Sequence, residues 1–398
     1  MNKKTVVVIG RNYTSRLGMI RAAGMAGYDV IVIKTDKKSG RTKGMIDVKS
    51  KYVKSYYWAP QPDRNKLVEL LLCKIKKDYE KLVLLPTDDY SASTLDMNYD
   101  VLSEYFFMPN IEGKQNLLIQ YMDKNLQKEM AEKSGILVAK GWTANYVDTE
   151  YQIPTDVVFP CFIKPQVSIA GSKSMMKRCN TYEELKNNLA ICANTSKAPI
   201  LIEEYLEIEK EYAILGYCNH DKVIMPALLE MITNHMGVIA EGLIHPMEKY
   251  ENLSKSLVEF LKQFNFVGLF DVDLIEANGN IYFNELNLRF GASGYAVTLK
   301  GINLPEMFIR DLYGEPIAVQ NQSIVKESRF ANEKVCFQEY TSGTISWKEF
   351  WNIINSTNEC FVKCKNDPAP FKEFKKEAMR IYFRKRMSGL KKKMTGHS

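Results

Sequence analysis

The stretch from Val267 to Tyr295, VGLFDVDLIEANGNIYFNELNLRFGASGY, constrains this chain more than any other. Leu269 to Ile275 read as one strand, Asn278-Gly279-Asn280 as a turn and Ile281 to Leu288 as a second strand, because an Asn-Gly pair takes the left-handed backbone that a tight hairpin requires. Folding one strand back on the other lets Asp273 and Glu285 face a common cleft beside the amide of Asn287. Such hard oxygen donors suit magnesium or manganese; magnesium in particular keeps some of its waters and shares the rest of its shell with substrate phosphates. Arg289, two residues past Asn287, rises on the same strand face, where metal and guanidinium together would clamp a migrating phosphoryl group. The alternative is an ordinary half-buried hairpin with a polar solvent face. Four polar groups alternating among Leu, Ile, Phe and Tyr favour the cleft.

A chain of 398 residues exceeds one core and fits two or three domains. Its 45% apolar and 25% charged residues are those of a globular protein, without an apolar run long enough to cross a bilayer. The start, MNKKTVVVIGRN, lacks the apolar segment and small-residue cleavage site of a signal peptide, so a cytoplasmic location is expected. Eight scattered cysteines with no CxxC pair read as reduced thiols rather than zinc ligands or disulfides.

Residues 5 to 110 alternate strand and helix: strand Thr5 to Ile9, helix Ser15 to Ala26, strand Tyr28 to Ile33, helix Lys66 to Lys77 and strand Leu82 to Leu85. That alternation predicts a small doubly wound parallel sheet, Rossmann-like but without the GxGxxG fingerprint of a dinucleotide site. In such sheets ligands bind at the loops after the strands, here Arg11-Asn12 and Pro86-Thr87-Asp88-Asp89, although an Asp pair after a strand equally serves as a helix cap.

Gln115 to Gly135 reads as helical and includes Lys124. Further on, Lys164 closes the strand Phe159-Pro160-Cys161-Phe162-Ile163, and a half-buried ammonium there needs an anionic partner, either a structural carboxylate or a phosphate. The loop that follows, Ser168-Ile169-Ala170-Gly171-Ser172-Lys173-Ser174, has small residues whose backbone N–H groups can fold over an anion, and it is not a Walker loop. After a helix from Thr181 to Cys192, strand Ile200-Leu201-Ile202 delivers Glu203, Glu204, Tyr205 and Leu206, with Glu211 seven residues beyond Glu204. An apolar slot with backbone donors and acceptors suits adenine, and a carboxylate suits the ribose hydroxyls.

Taken in order, Lys124, the Lys164 strand, the small-residue loop, the acidic segment and Asp273 with Glu285-Leu286-Asn287-Leu288-Arg289 resemble the ATP-grasp ligases over about residues 1 to 315. The resemblance implies an N-terminal open parallel sheet (1–112), a two-lobed α+β ATP-grasp domain (113–315, small lobe about 136–210), a C-terminal extension (316–370) and a basic tail (371–398). It further implies that Lys124, Lys164, Ser168, Gly171 and Ser172 meet the ATP phosphates, Glu203 to Leu206 line adenine, Glu211 holds ribose, Asp273, Glu285 and Asn287 hold magnesium, and Arg289 is catalytic. The activity implied is ADP-forming amide ligation of a small carboxylate and an amine through an acyl phosphate, with homodimers common. The compact N-terminal domain and the GASGYA stretch after Arg289 are similar to those of ligases that add amino acids such as D-aspartate to envelope precursors or decorate surface polysaccharides. A non-catalytic nucleotide-binding regulator, or a carbamoyl- or biotin-type carboxylase subunit, would share the nucleotide site. The former would lose the metal and Arg residues that are kept here.

Residues 316–370 include Trp347 and Trp351 with a helix near Trp347 to Asn355, and no chemistry attaches to them. Phe371 to Ser398 carries ten Lys or Arg against two Glu, a net of +8 in a chain of +7 overall. Phe371, Phe374, Ala378, Ile381 and Tyr382 recur at helical spacing. The helix either packs this edge on the enzyme or docks on an anionic membrane, at the inner face for a cytoplasmic protein. Specific nucleic-acid binding is not expected, since no such module accompanies it.

Overall fold

The computed structural model describes residues 4–36, 45–235, 237–317 and 326–394, with side chains as far as Met387, so the last part of the basic tail lies outside the described residues. Strands β1 (Thr5–Gly10), β2 (Asp29–Lys34), β3 (Val53–Trp58), β4 (Leu82–Pro86) and β5 (Phe106–Phe107) form a parallel sheet in the order β3-β2-β1-β4-β5. Both faces of β1 are covered. Val6 and Val8 pack with helix Tyr13–Met25, while Val7 and Ile9 pack with Leu67, Leu71 and Leu95. The expected helix at 66–77 starts at Arg64 under an Asp63 cap and leaves α geometry at Leu71 for a π turn. Strand β3 was not expected, because its alternating half-exposed VKSYYW carries only a weak apolar pattern.

Two short strands, β6 (Asn110–Ile111) and β7 (Leu137–Val138), lead into a second sheet of β8 (Gly141–Val147), β9 (Glu150–Gln152), β10 (Cys161–Pro165), β11 (Lys177–Cys179) and β12 (Ile200–Glu204), ordered β11-β10-β12-β8-β9. Helix Tyr182–Ala193 places Leu185, Leu189 and Cys192 on Ile163, Ile200 and Ile202. Because strand side chains alternate between faces, Lys164, Leu201 and Glu203 point the other way, into a cleft.

The third sheet runs β20-β19-β16-β15-β13-β17-β18-β7, from β13 (Lys210–Cys218), β15 (Ala227–Asn234), β16 (Ile239–Pro246), β17 (Phe266–Ala277), β18 (Asn280–Asn287), β19 (Ser328–Ala331) and β20 (Glu359–Cys360); β14 (Val223–Ile224) joins β13 and β6 joins β17. Tyr212, Ile214, Val272, Leu274 and Leu286 pack one face beneath helix Glu251–Lys262. The opposite face carries the acidic residues.

The C-terminal extension completes this body. Arg21, 1% exposed on the helix after β1, donates to the Asp367 carboxylate at 2.9 Å and to the carbonyls of Phe361 and Val362. Arg16 similarly pairs with Asp47 at 2.6 Å, both fully buried. Helix Ala369–Met394 buries Phe374 and Ala378 and stacks Tyr382 on Trp347 at 4.4 Å, so the apolar stripe legible in the sequence packs on the protein. All eight cysteines are free thiols.

Candidate active site

The hairpin of β17 and β18 turns at Asn278 (φ 51) and Gly279 (φ 71), as the Asn-Gly pair requires. Its register places Asp273 opposite Glu285 and Asp271 opposite Asn287. One irregularity decides the site: the ladder slips between Asp273 and Leu274, leaving Asn284 as an extra residue. Phe283 and Leu286 therefore both enter the core, and Asn284 and Glu285 both face the cleft.

Lys164, 3% exposed, donates to Asn284 Oδ1 at 2.9 Å and pairs with Glu203 at 2.8 Å. Glu203 also accepts from Lys128 at 2.7 Å. Burial opposes its ionisation, but the two ammonium groups outweigh that and hold the carboxyl below its usual range. Glu203 thus holds both lysines in place. Lys124 begins helix Lys124–Lys133, behind the Asp123 cap that breaks the expected 115–135 helix in two. It reaches Glu285 at 3.0 Å and donates to the Ser168 hydroxyl at 2.7 Å, and Ser168 in turn donates to Glu285. For Glu285, too, burial is overcome, by Lys124, Ser168 and Lys164.

The small-residue loop crosses from the second sheet to the third through that Ser168–Glu285 bond. Gly171 is required there, since a Cβ would lie 2.4 Å from Pro165 Cγ. Ser172 Oγ lies 2.6 Å from Ser174 Oγ. Lys173 acts on Glu211, which accepts from Asn234 at 2.8 Å on the cleft face of β13; burial raises its pKa and Lys173 opposes the rise. Glu204, Tyr205 and Leu206 are half-buried; Glu204 accepts from the Lys140 N–H at 2.8 Å, and Arg178 covers the Tyr205 ring at 4.1 Å.

Arg289 is held on three sides. Its Nε donates to Asp89 at 3.0 Å, Nη1 to Asp271 at 3.1 Å and Nη2 to the Asn287 side-chain Oδ1 at 2.9 Å. A guanidinium has five N–H donors, so two remain for a ligand. Asp89 comes from the loop after β4, and its neighbour Asp88 both caps helix Asp89–Asp96 and accepts from the Arg11 N–H. The expected helix cap is thus made by Asp88, while Asp89 accepts from Arg289. Asp271 and Asn284 are missing from the sequence reading. The Asp271–Asp273 spacing of two residues on one strand face was a signal for the first; the slip that exposes Asn284 had none.

The glycines of the GASGYA stretch serve packing. A Cβ on Gly291 would lie 2.1 Å from Asp271 Oδ2, and Tyr295 is buried against Gly18.

Asp89, Glu203, Asp271, Asp273 and Glu285 converge on Lys124, Lys128, Lys164 and Arg289, five carboxylates against four cations. Burial, then Asp271 and Glu285, push the Asp273 carboxyl well above its usual range, and burial pushes Asp271 up to about 6, against the pull of Arg289. One Asp271 oxygen is buried without a hydrogen-bond partner. A cluster short of cationic charge fits a divalent cation. Among the described residues no three His, Cys, Asp or Glu form a metal cage; two carboxylates beside an amide are the sparse set magnesium shares with phosphates. Asn287 donates to Asp273 at 3.0 Å and so orients that carboxylate.

Residues 129–307 match the family model described as the ATP-grasp domain. The chain carries an ATP-grasp domain over these residues. The carbamoyl phosphate synthase large chain of Agathobacter rectalis is 25% identical over 205 residues, 49% of this chain but 19% of that protein. The formate-dependent phosphoribosylglycinamide formyltransferase of Bacillus subtilis is 25% identical over 207 residues, covering 49% of this chain and 52% of its own. The chain thus spans about a fifth to a half of the length of these curated relatives. In fold it is similar to N5-carboxyaminoimidazole synthetase from Staphylococcus aureus complexed with ADP (TM-score 0.59, 18% identity, 79% of both chains). It is similar also to an L-amino acid ligase from Bacillus licheniformis (TM-score 0.58, 12% identity, 83% of this chain and 79% of that one). The mixed α/β architecture expected from the sequence is therefore that of the ATP-grasp fold.

Proposed function

We propose that this ATP-grasp protein is an ADP-forming ligase that joins a carboxylate to an amine. The observation that carries the reading is the cleft itself: Lys124, Lys164 and the Ser168 loop face Asp273, Glu285 and Arg289 across it, cations for phosphates opposite carboxylates for a metal. Glu204 to Leu206 then take adenine and Glu211 takes ribose. Asp273 and Glu285 would hold magnesium, which would neutralise charge on the phosphate oxygens. A substrate carboxylate oxygen attacks the γ-phosphorus and ADP leaves; the amine then attacks the acyl carbon, phosphate leaves, and the amine proton is released. This is positioning and charge stabilisation, so no Ser-His-Asp set is required. Purified protein should release phosphate from ATP only with magnesium and both substrates, and hydroxylamine should trap the acyl phosphate as hydroxamate. Phosphate release with the carboxylate present but no hydroxamate would overturn the acyl-phosphate route.

Lys334 supports a place for a substrate anion. It sits beside the loop after β1, donating to Asn12 at 2.6 Å, and no carboxylate among the described residues lies within ion-pair distance of it. Burial, then Arg16 and Arg11, lower its pKa to about 8. The loop after β4 connects this spot to Arg289 through Asp88 and Asp89. Open sheets bind ligands where strand order reverses, here between β1 and β4. Lys334→Gln should raise the KM of one co-substrate roughly ten-fold or more, the effect of losing a charged hydrogen bond, and leave that of ATP unchanged. Equal KM values in variant and wild type would remove Lys334 from the substrate site. The narrower assignment, an amino acid such as D-aspartate added to an envelope or polysaccharide precursor, rests on the GASGYA resemblance, and amino-acid-stimulated phosphate release tests it.

A further inference from the structure

Helix Ala369–Met394 has two apolar edges, and only one is used. The edge of Phe374, Ala378 and Tyr382 lies against Phe337, Phe350 and Trp347. Met379, Phe383 and Met387 recur every four residues on the side turned away, and they are 38%, 54% and 61% exposed. Exposure rises along the helix as it leaves the body. Lys372, Lys376, Arg380, Arg384 and Arg386 flank this second edge, and all five are exposed. Glu373 and Glu377 lie within 3.7 Å of Lys376 and Arg380 respectively, which leaves Lys372, Arg384 and Arg386 without an acidic partner among the described residues. The sequence adds three consecutive lysines at 391–393.

We propose that this outer edge is a docking surface for an anionic lipid bilayer, against which the helix lies flat. The packed edge fixes the helix rotation, so the protein presents Met379, Phe383 and Met387 outward without a conformational change. Basic side chains reach lipid phosphates from both sides of the stripe while the three apolar ones enter the headgroup boundary, the arrangement of interfacial helices. Charge alone would suit RNA equally, but a phosphate backbone gives three adjacent apolar side chains nothing to bury against, and a bilayer does. No helix among the described residues is long and apolar enough to cross a membrane, so the contact is peripheral.

Sedimentation of the full chain with vesicles tests this. The protein should pellet with phosphatidylcholine vesicles containing phosphatidylglycerol at low salt, not with phosphatidylcholine alone, and added salt should release it. Because each basic residue at such a surface multiplies partitioning roughly five-fold, Lys372→Gln with Arg384→Gln should lower it roughly 25-fold. Phe383→Ser with Met387→Ser should lower it roughly ten-fold or more at unchanged charge. None of these side chains is buried, so the thermal midpoint should stay at the wild-type value. Deleting the helix is no substitute, since Phe374 and Ala378 belong to the core. Binding to neutral vesicles as strong as to anionic ones, or loss of charge without loss of binding, overturns the proposal. So does full binding by the Phe383→Ser, Met387→Ser variant; together with displacement by RNA, that result would assign the helix to nucleic acid instead.

Discussion

Arg289→Lys is expected to bind ATP nearly as well as wild type and to turn over roughly a hundred- to a thousand-fold more slowly, the loss of about 2.7–4 kcal/mol that follows removal of one preorganised donor. Asp89, Asp271 and Asn287 fix the guanidinium plane and leave two N–H groups for the phosphoryl oxygens. Lysine keeps the charge but has no planar fork, and its three donors cannot meet three fixed acceptors and a ligand together. Hydroxamate trapping separates the steps. If phosphoryl transfer is the affected step, the variant traps hydroxamate as slowly as it makes product. Trapping at the wild-type rate with slow product formation would move Arg289 to the amine-attack step.

Lys164→Met should weaken ATP binding by roughly 2–5 kcal/mol, some 30-fold to several thousand-fold, as truncating one member of a buried charge pair does. Lys164 is 3% exposed and its ammonium sits between Glu203 and Asn284, so its loss also leaves Glu203 with Lys128 alone. Glu203 titrates below the ordinary carboxylate range, and its contribution to stability is therefore present above that range and disappears as pH falls through its folded value. Lys164→Met should consequently begin acid unfolding at higher pH than wild type. Glu203→Gln separates the two effects: it keeps the lysine, and should retain most of the ATP affinity while showing altered acid sensitivity. Calorimetric titration with magnesium-ATP measures the first effect and circular dichroism against pH the second. Unchanged affinity in Lys164→Met would exclude Lys164 from the phosphate site.

Much of the cleft was legible because its residues sit at regular spacings. Asn-Gly fixed the hairpin, alternation placed Asp273, Glu285, Asn287 and Arg289 on one face, and a lysine at the end of an apolar strand marked Lys164. What sequence spacing missed depends on broken periodicity or on distance along the chain. Asn284 faces the cleft only because the ladder slips by one residue. Asp89 meets Arg289 across 200 positions, and Glu203 meets Lys164 through the pairing of β12 with β10 and Lys128 from the helix Lys124–Lys133. The basic helix shows both sides of the matter: its periodic apolar edge was visible, but only the packed structure shows that this edge is consumed and a second one exposed.

The Arg21–Asp367 clasp bears on the order in which the protein can mature on the ribosome. Arg21 emerges early, yet its carboxylate partner and the two carbonyls that complete its coordination follow some 340 positions later. Until then the helix after β1 must either keep a guanidinium in water or bury it without compensation, at a cost of several kcal/mol. The first sheet therefore waits for the last part of the chain, and a nascent chain stopped before Asp367 should expose that helix to chaperones and proteases.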